Sequence, residues 1–146
     1  MVNVTPKGET SREAEARVVL RLSPSTLAAI KAGQVAKGDV LGVARTAGIL
    51  AAKKTSELIP LCHPLRITGV DVKFKMNERT STLVIRARVS AVDKTGVEME
   101  ALTAAAIAGL TVYDMVKSVE KGVVITDLCL LEKSGGKSGH WRRQQP

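Results

Sequence analysis

From Ala16 onward apolar and polar side chains alternate, with Ala16, Val18, Leu20 and Leu22 on one side and Arg17, Val19 and Arg21 on the other. A period of two predicts a first strand, ended by Ser23-Pro24. Ser23 followed by Pro24 is also a helix start, Leu27, Ala28 and Ile30 supply its apolar side, and Gly33 closes it. Asp39 caps a second helix to about Lys54, whose Ala44, Ala47, Gly48, Ala51 and Ala52 let a neighbour approach closely. Alternation returns at Val70, Val72, Phe74 and Met76 and, after the polar run Asn77 to Thr80, at Leu83, Ile85, Ala87, Val89 and Ala91. That is a hairpin with one wet face. Thr95-Gly96-Val97-Glu98 has capping-box spacing and opens an Ala-rich helix to about Val119, stopped by Gly122. Val123 to Leu131 is a final strand, apolar on both faces. Strand, helices, two strands, helix, strand is the order of an α+β domain of the ferredoxin-like split βαβ kind, an antiparallel sheet with helices packed on it.

Length and composition leave this picture intact. The 146 residues suit one domain, with residues 1–14 and 134–146 expected as flexible arms. Ala101 to Tyr113 carries no charge, yet it is too short and too polar to be expected to span a bilayer. No secretory signal is read at the N-terminus, and two cysteines without paired spacing suit a reducing compartment, so a cytoplasmic protein is expected. The same charge-free run lacks the wet face that a helix lying on one sheet should show. Together with the two-faced last strand it predicts an oligomer.

The net charge of +8 points to an anionic partner. Lys73, Lys75, Arg86 and Arg88 share the wet side of the hairpin, which makes a basic RNA-binding ferredoxin-like module the alternative. Such a module stacks bases on sheet aromatics, whereas Phe74, Tyr113 and Trp141 are the only aromatic residues and Phe74 falls on the apolar side.

Several groups could carry chemistry. Prolines at 60 and 64 stiffen Leu58 to Leu65 and should send Cys62 and His63 to opposite sides, so a shared metal is not expected. His63 is either a hydrogen-bonded structural residue or a proton-transfer group. Asp114 and Lys117 are neighbours on one helix face and form either a salt bridge or, if the ammonium is desolvated, a general acid with its orienting carboxylate. Glu98 and Glu100 stand at the other end of that helix, and sixteen residues of helix put Glu98 about 24 Å from Asp114. Either one end alone is functional, or antiparallel packing of two subunits brings opposite ends together. Lys133 to Gly139 lacks Walker spacing but has the glycines and lysines, Lys133 and Lys137, to fold over a di- or triphosphate; otherwise it is a solvated tail. Lys37-Gly38-Asp39 puts a cation just before a helix N-terminus, a further anion site.

The set Lys37-Gly38-Asp39, Lys53-Lys54-Thr55, Leu58 to Leu65, Thr95 to Ala105, Thr111 to Lys117 and Lys133 to Gly139 closely resembles the cyclic pyranopterin monophosphate synthase family (molybdenum cofactor biosynthesis protein C, MoaC), over nearly the whole chain. The resemblance implies a homohexameric lyase, a trimer of dimers, with sites between subunits, no cofactor and no metal. It implies rearrangement of (8S)-3',8-cyclo-7,8-dihydroguanosine 5'-triphosphate, the product of a preceding radical-SAM enzyme, to cyclic pyranopterin monophosphate with release of diphosphate. Carried over by position, Leu61, Cys62, His63, Met99 and Glu100 fall in substrate-binding segments. Asp114, Lys37 and Lys117 match catalytic residues, and Arg12 and Lys133 match triphosphate-binding ones. On this footing Lys117 is the expected general acid/base with Lys37 assisting. Glu98 or Glu100 and His63 hold the ring, while Arg12, Lys133 and Lys137 stabilise diphosphate. The chain departs from the family in carrying Asn3 where aspartate is usual.

Overall fold

The computed structural model describes residues 1–144. In chain order the elements are β1 (Thr10–Arg21), α1 (Pro24–Lys31), α2 (Val40–Lys53), α3 (Thr55–Leu58), β2 (Ile67–Asn77), β3 (Thr82–Asp93), α4 (Glu98–Val116), β4 (Val124–Ser134) and β5 (Trp141–Arg142). All strand pairs are antiparallel and the sheet order is β2-β3-β1-β4-β5. With β1 between β3 and β4, the first four strands have the split βαβ arrangement. The helices pack on one face, α4 against β1, β3 and β4 and against α2.

Local chemistry explains the helix starts. The Thr26 N–H donates to Ser23 Oγ at 3.2 Å, and the Gly42 N–H donates to Asp39 Oδ1 at 2.9 Å. The hairpin register pairs Val72 with Ala87 and Phe74 with Ile85, placing the expected apolar positions on the helical side.

Four sequence expectations change. β1 begins at Thr10, so residues 10–14, assigned above to an arm, are strand: all five pair with β3, and Glu13 and Ala14 pair with β4 as well; the flanking Glu13 and Glu15 hid the buried Ala14 from the pattern. In the expected C-terminal arm, Ser134 ends β4 and Trp141–Arg142 pair with Glu132 and Lys133; its last two residues lie outside those described. The capping box at Thr95 is not formed: Val97 is the N-cap, without a side-chain cap bond, and α4 ends at Val116. β4 is also less uniformly apolar in its surroundings than expected, with Val124 and Leu128 exposed while Ile125 and Leu130 pack on the core.

Helix α4 is long and apolar enough to cross a membrane by composition alone, but it is the central helix of this layer. Its neighbours come close because they carry no bulk. A Cβ at Gly48 would lie 3.0 Å from the Ala104 carbonyl oxygen, and one at Gly109 would lie 3.3 Å from Val18 Cγ1. Gly48→Val is therefore expected to push α2 off α4, costing about 2 kcal/mol and lowering the midpoint of a calorimetric melt by about 5 °C. An unchanged midpoint would contradict this packing. On the outer side of α4, Met99 and Leu110 remain exposed and Leu102, Ala106 and Tyr113 half-buried, at helical spacing. The expected lack of a charged face is thus real in three dimensions as well as in sequence.

Candidate active site

The candidate residues collect at the two ends of α4. At its C-terminal end Asp114 holds two ammonium groups. Lys117 Nζ lies 2.7 Å from Asp114 Oδ1, and Lys37 Nζ lies 2.8 Å from Oδ2 and also donates to the Asp114 carbonyl oxygen at 2.8 Å. Lys37 reaches across because the α1–α2 loop turns at Gly38, whose φ of +100° suits glycine. Its ammonium therefore serves Asp114, and the α2 N-terminus beside it is filled by the Asp39 carboxylate. This replaces the anion site expected at Lys37-Gly38-Asp39.

Hydrogen bonds from Lys117 and then Lys37 push the Asp114 pKa down to about 2. The reciprocal bond raises that of Lys117. Of the two readings of this pair, the single chain shows the salt bridge and not a desolvated ammonium: the Lys117 side chain is about half exposed, and the carboxylate favours the charged form.

At the N-terminal end two cavities adjoin. The larger, about 810 Å³, is a basic cleft bearing Arg12, Lys133 and Lys137 together with Lys7 and Lys94. Arg12 is held by carbonyl oxygens, donating from Nε to Asp93 at 3.4 Å and from Nη2 to Lys94 at 3.2 Å. The 134–139 segment folds over it. Gly135 and Gly136 have φ of +100° and +72°, and a Cβ at Gly136 would collide with the Arg12 guanidinium. The solvated-tail reading of this segment is thereby replaced by a folded loop, with Lys133 Nζ donating to Ser138 Oγ at 2.7 Å.

The smaller cavity, about 200 Å³, is lined by Leu61, Cys62, His63, Met99 and Glu100, and it shares Thr95, Gly96 and Glu98 with the basic cleft. Cys62 and His63 line the same cavity, where strict extension would have sent them to opposite sides; after Leu58 the chain makes a turn at Pro60-Leu61 before extending. Glu100 is 4% exposed. Burial, and then the charge of Glu98, raise its pKa to about 7. Burial and Glu100 also raise that of Cys62, so its thiol stays protonated at neutral pH and is a poor nucleophile.

The sign of the Glu100 effect follows. Its pKa in the folded chain exceeds the ordinary 4.5, so between these values the folded chain keeps a proton that the unfolded chain has released. That contribution to stability is complete below pH 4.5 and is lost as pH rises through about 7. Glu100→Gln is expected to be more stable than the parent by about 2 kcal/mol at pH 8, allowing for screening, and to lose that advantage at pH 4. Urea denaturation at the two pH values checks it.

Sequence reasoning missed Lys7 and Lys94. Lys94 follows β3 directly and donates to the Thr5 carbonyl oxygen at 3.3 Å, tying the N-terminal segment to the cleft wall. The register of Thr10 with Asp93 brings the two segments together, a long-range fact without a local signal.

The open face of the sheet is less suited to a polyanion. Arg88 bonds Glu13 and Glu15 at 2.9 and 2.6 Å, Arg86 bonds Glu15 at 3.3 Å, and Lys73 pairs with Asp71 at 3.1 Å. Phe74 lies on the helical side beneath Arg45, 5.2 Å from its guanidinium.

A split βαβ domain with a lysine–aspartate cluster at one helix end and an anion cleft beside a small polar pocket at the other has the form of a small-molecule enzyme. Residues 1–136 match the MoaC family, and the chain belongs to it. It is 56% identical over 145 residues to the cyclic pyranopterin monophosphate synthase of Heliobacterium modesticaldum, covering 99% of this chain and 91% of that protein. It is 58% identical over 144 residues to the protein of that name from Thermomicrobium roseum, covering 99% and 87%. The Geobacter metallireducens protein of the same name is 55% identical over 146 residues, covering 100% and 91%.

Proposed function

We propose that this chain is a cyclic pyranopterin monophosphate synthase, a lyase of molybdenum cofactor biosynthesis that converts cyclised dihydro-GTP to cyclic pyranopterin monophosphate and releases diphosphate. The support is family membership over nearly the whole chain together with an anion cleft adjoining a ring-sized pocket. The basic cleft takes the phosphates, with Arg12, Lys133 and Lys137 meeting the charge that gathers on departing diphosphate. Glu98, Glu100 and His63, between Leu61, Cys62 and Met99, hold the guanine-derived ring. Lys117 and Lys37, placed by Asp114, transfer protons as the ring opens.

One chain does not bring these halves together, because α4 is a continuous helix from Glu98 to Val116 and holds Glu98 and Asp114 about 24 Å apart. A second copy packed antiparallel along the uncharged outer side of α4 delivers Asp114, Lys37 and Lys117 to the partner's cleft. Three such dimers make the homohexamer that the family resemblance implies, a cytoplasmic enzyme coupled in function to the radical-SAM enzyme that supplies its substrate. The direct experiment is incubation with enzymatically generated cyclised GTP and measurement of diphosphate and pterin product. Stoichiometric formation of both is expected, and neither would form if this reading were wrong.

A further inference from the structure

The basic cleft and the ring pocket meet at one ion pair. Lys133 Nζ stands 3.2 Å from Glu98 Oε1, with the two side chains 24% and 29% exposed. Of the five cations lining the cleft, Lys133 alone is paired with a carboxylate among the described residues. Glu98 is free to make this contact because it is not engaged in the capping box; its carboxylate lies beside Gly96, where a Cβ would collide with it.

Resting on the reading of the two cavities as phosphate and ring ends, we propose that Glu98 is the resident occupant of the anion position at Lys133 and that substrate diphosphate displaces it. A polyphosphate brings several negative charges to the cleft against the single charge of the carboxylate, and takes the ammonium. Glu98, released, turns its carboxylate to N–H groups of the ring. An intact substrate therefore satisfies both partners of the broken pair. Free diphosphate satisfies only Lys133 and leaves Glu98 uncompensated in a half-buried site, at a cost. Glu98 is thus a specificity determinant, which retains the ring-linked polyphosphate and expels the cleaved one.

The test is calorimetric binding of inorganic pyrophosphate to the full chain at fixed ionic strength, in a double-mutant cycle of Glu98→Gln and Lys133→Gln. Glu98→Gln is expected to tighten pyrophosphate binding about tenfold when Lys133 is present and by less than about twofold when it is Gln. Glu98→Asp keeps the charge but withdraws it from Lys133, and is also expected to bind pyrophosphate more tightly than the parent. Equal tightening by Glu98→Gln in both backgrounds would mean general repulsion and would overturn the exchange while leaving the cleft assignment standing. Unchanged or weaker binding in Glu98→Gln would overturn it as well. Absence of pyrophosphate binding in every variant, including the parent, would overturn the cleft assignment itself and the exchange with it.

Discussion

Asp114→Asn is expected to lower kcat on cyclised GTP by about 10³-fold while the far-UV spectrum and melting midpoint stay at parental values. The carboxylate holds one ammonium on each oxygen, at 2.7 and 2.8 Å, and Asn keeps an oxygen at only one of these positions and turns an NH2 donor to the other ammonium. Both lysines then lose the charge that orients them. Because all three side chains are about half exposed in the single chain, little folding energy rides on the cluster. The loss should therefore fall on chemistry. Lys117→Ala is expected to match it in size, since the two residues act as one unit and their effects should not add. A kcat within tenfold of the parent for either variant would remove this cluster from the mechanism.

Arg12→Ala is expected to lower kcat/KM for cyclised GTP by about 100-fold, with KM raised about tenfold as a phosphate contact is lost and kcat lowered about tenfold as the departing charge goes unmet. Arg12 is a prepositioned cation: two carbonyl oxygens fix its guanidinium, and Gly136 packs on it where no side chain fits. A fixed fork of donors loses little entropy when it binds phosphate. Inhibition by added pyrophosphate should weaken in proportion, because the same contact is lost from product. A KM within threefold of the parent would show that the phosphates bind elsewhere.

Much of this was legible in the sequence where its cause is local. Ser23 and Asp39 announce helix starts by cap chemistry within three residues, and the β2–β3 register follows from alternation interrupted by a polar turn. The α4 start was misjudged because Val97, not Thr95, is the N-cap, which leaves Glu98 to face Lys133, a contact made across the fold. Lys37 was placed at the wrong partner for the same kind of reason: Asp114 is 77 residues away, and a cation near a helix N-terminus gives no hint of it. The desolvated reading of Lys117 extended the apolar character of Ala101 to Tyr113 one turn too far; the helix ends there, with Met115 and Val116 buried and Asp114 and Lys117 on the exposed side. The clustering of Arg12, Lys94 and Lys133 depends on strand registers set by the whole sheet.

The roughly 24 Å of helix between Glu98 and Asp114 makes the two-subunit site the central claim. Its most direct measurement mixes Asp114→Asn with Glu100→Ala, which removes a ring-holding carboxyl and is expected to lower kcat/KM by about 10³-fold alone, through dissociation and reassembly, and assays diphosphate release. In a mixed dimer one of the two shared sites draws a wild-type half from each chain. Half the dimers are mixed, so activity should return to about a quarter of the parental value. A mixture no more active than its separate components would contradict a site shared between subunits.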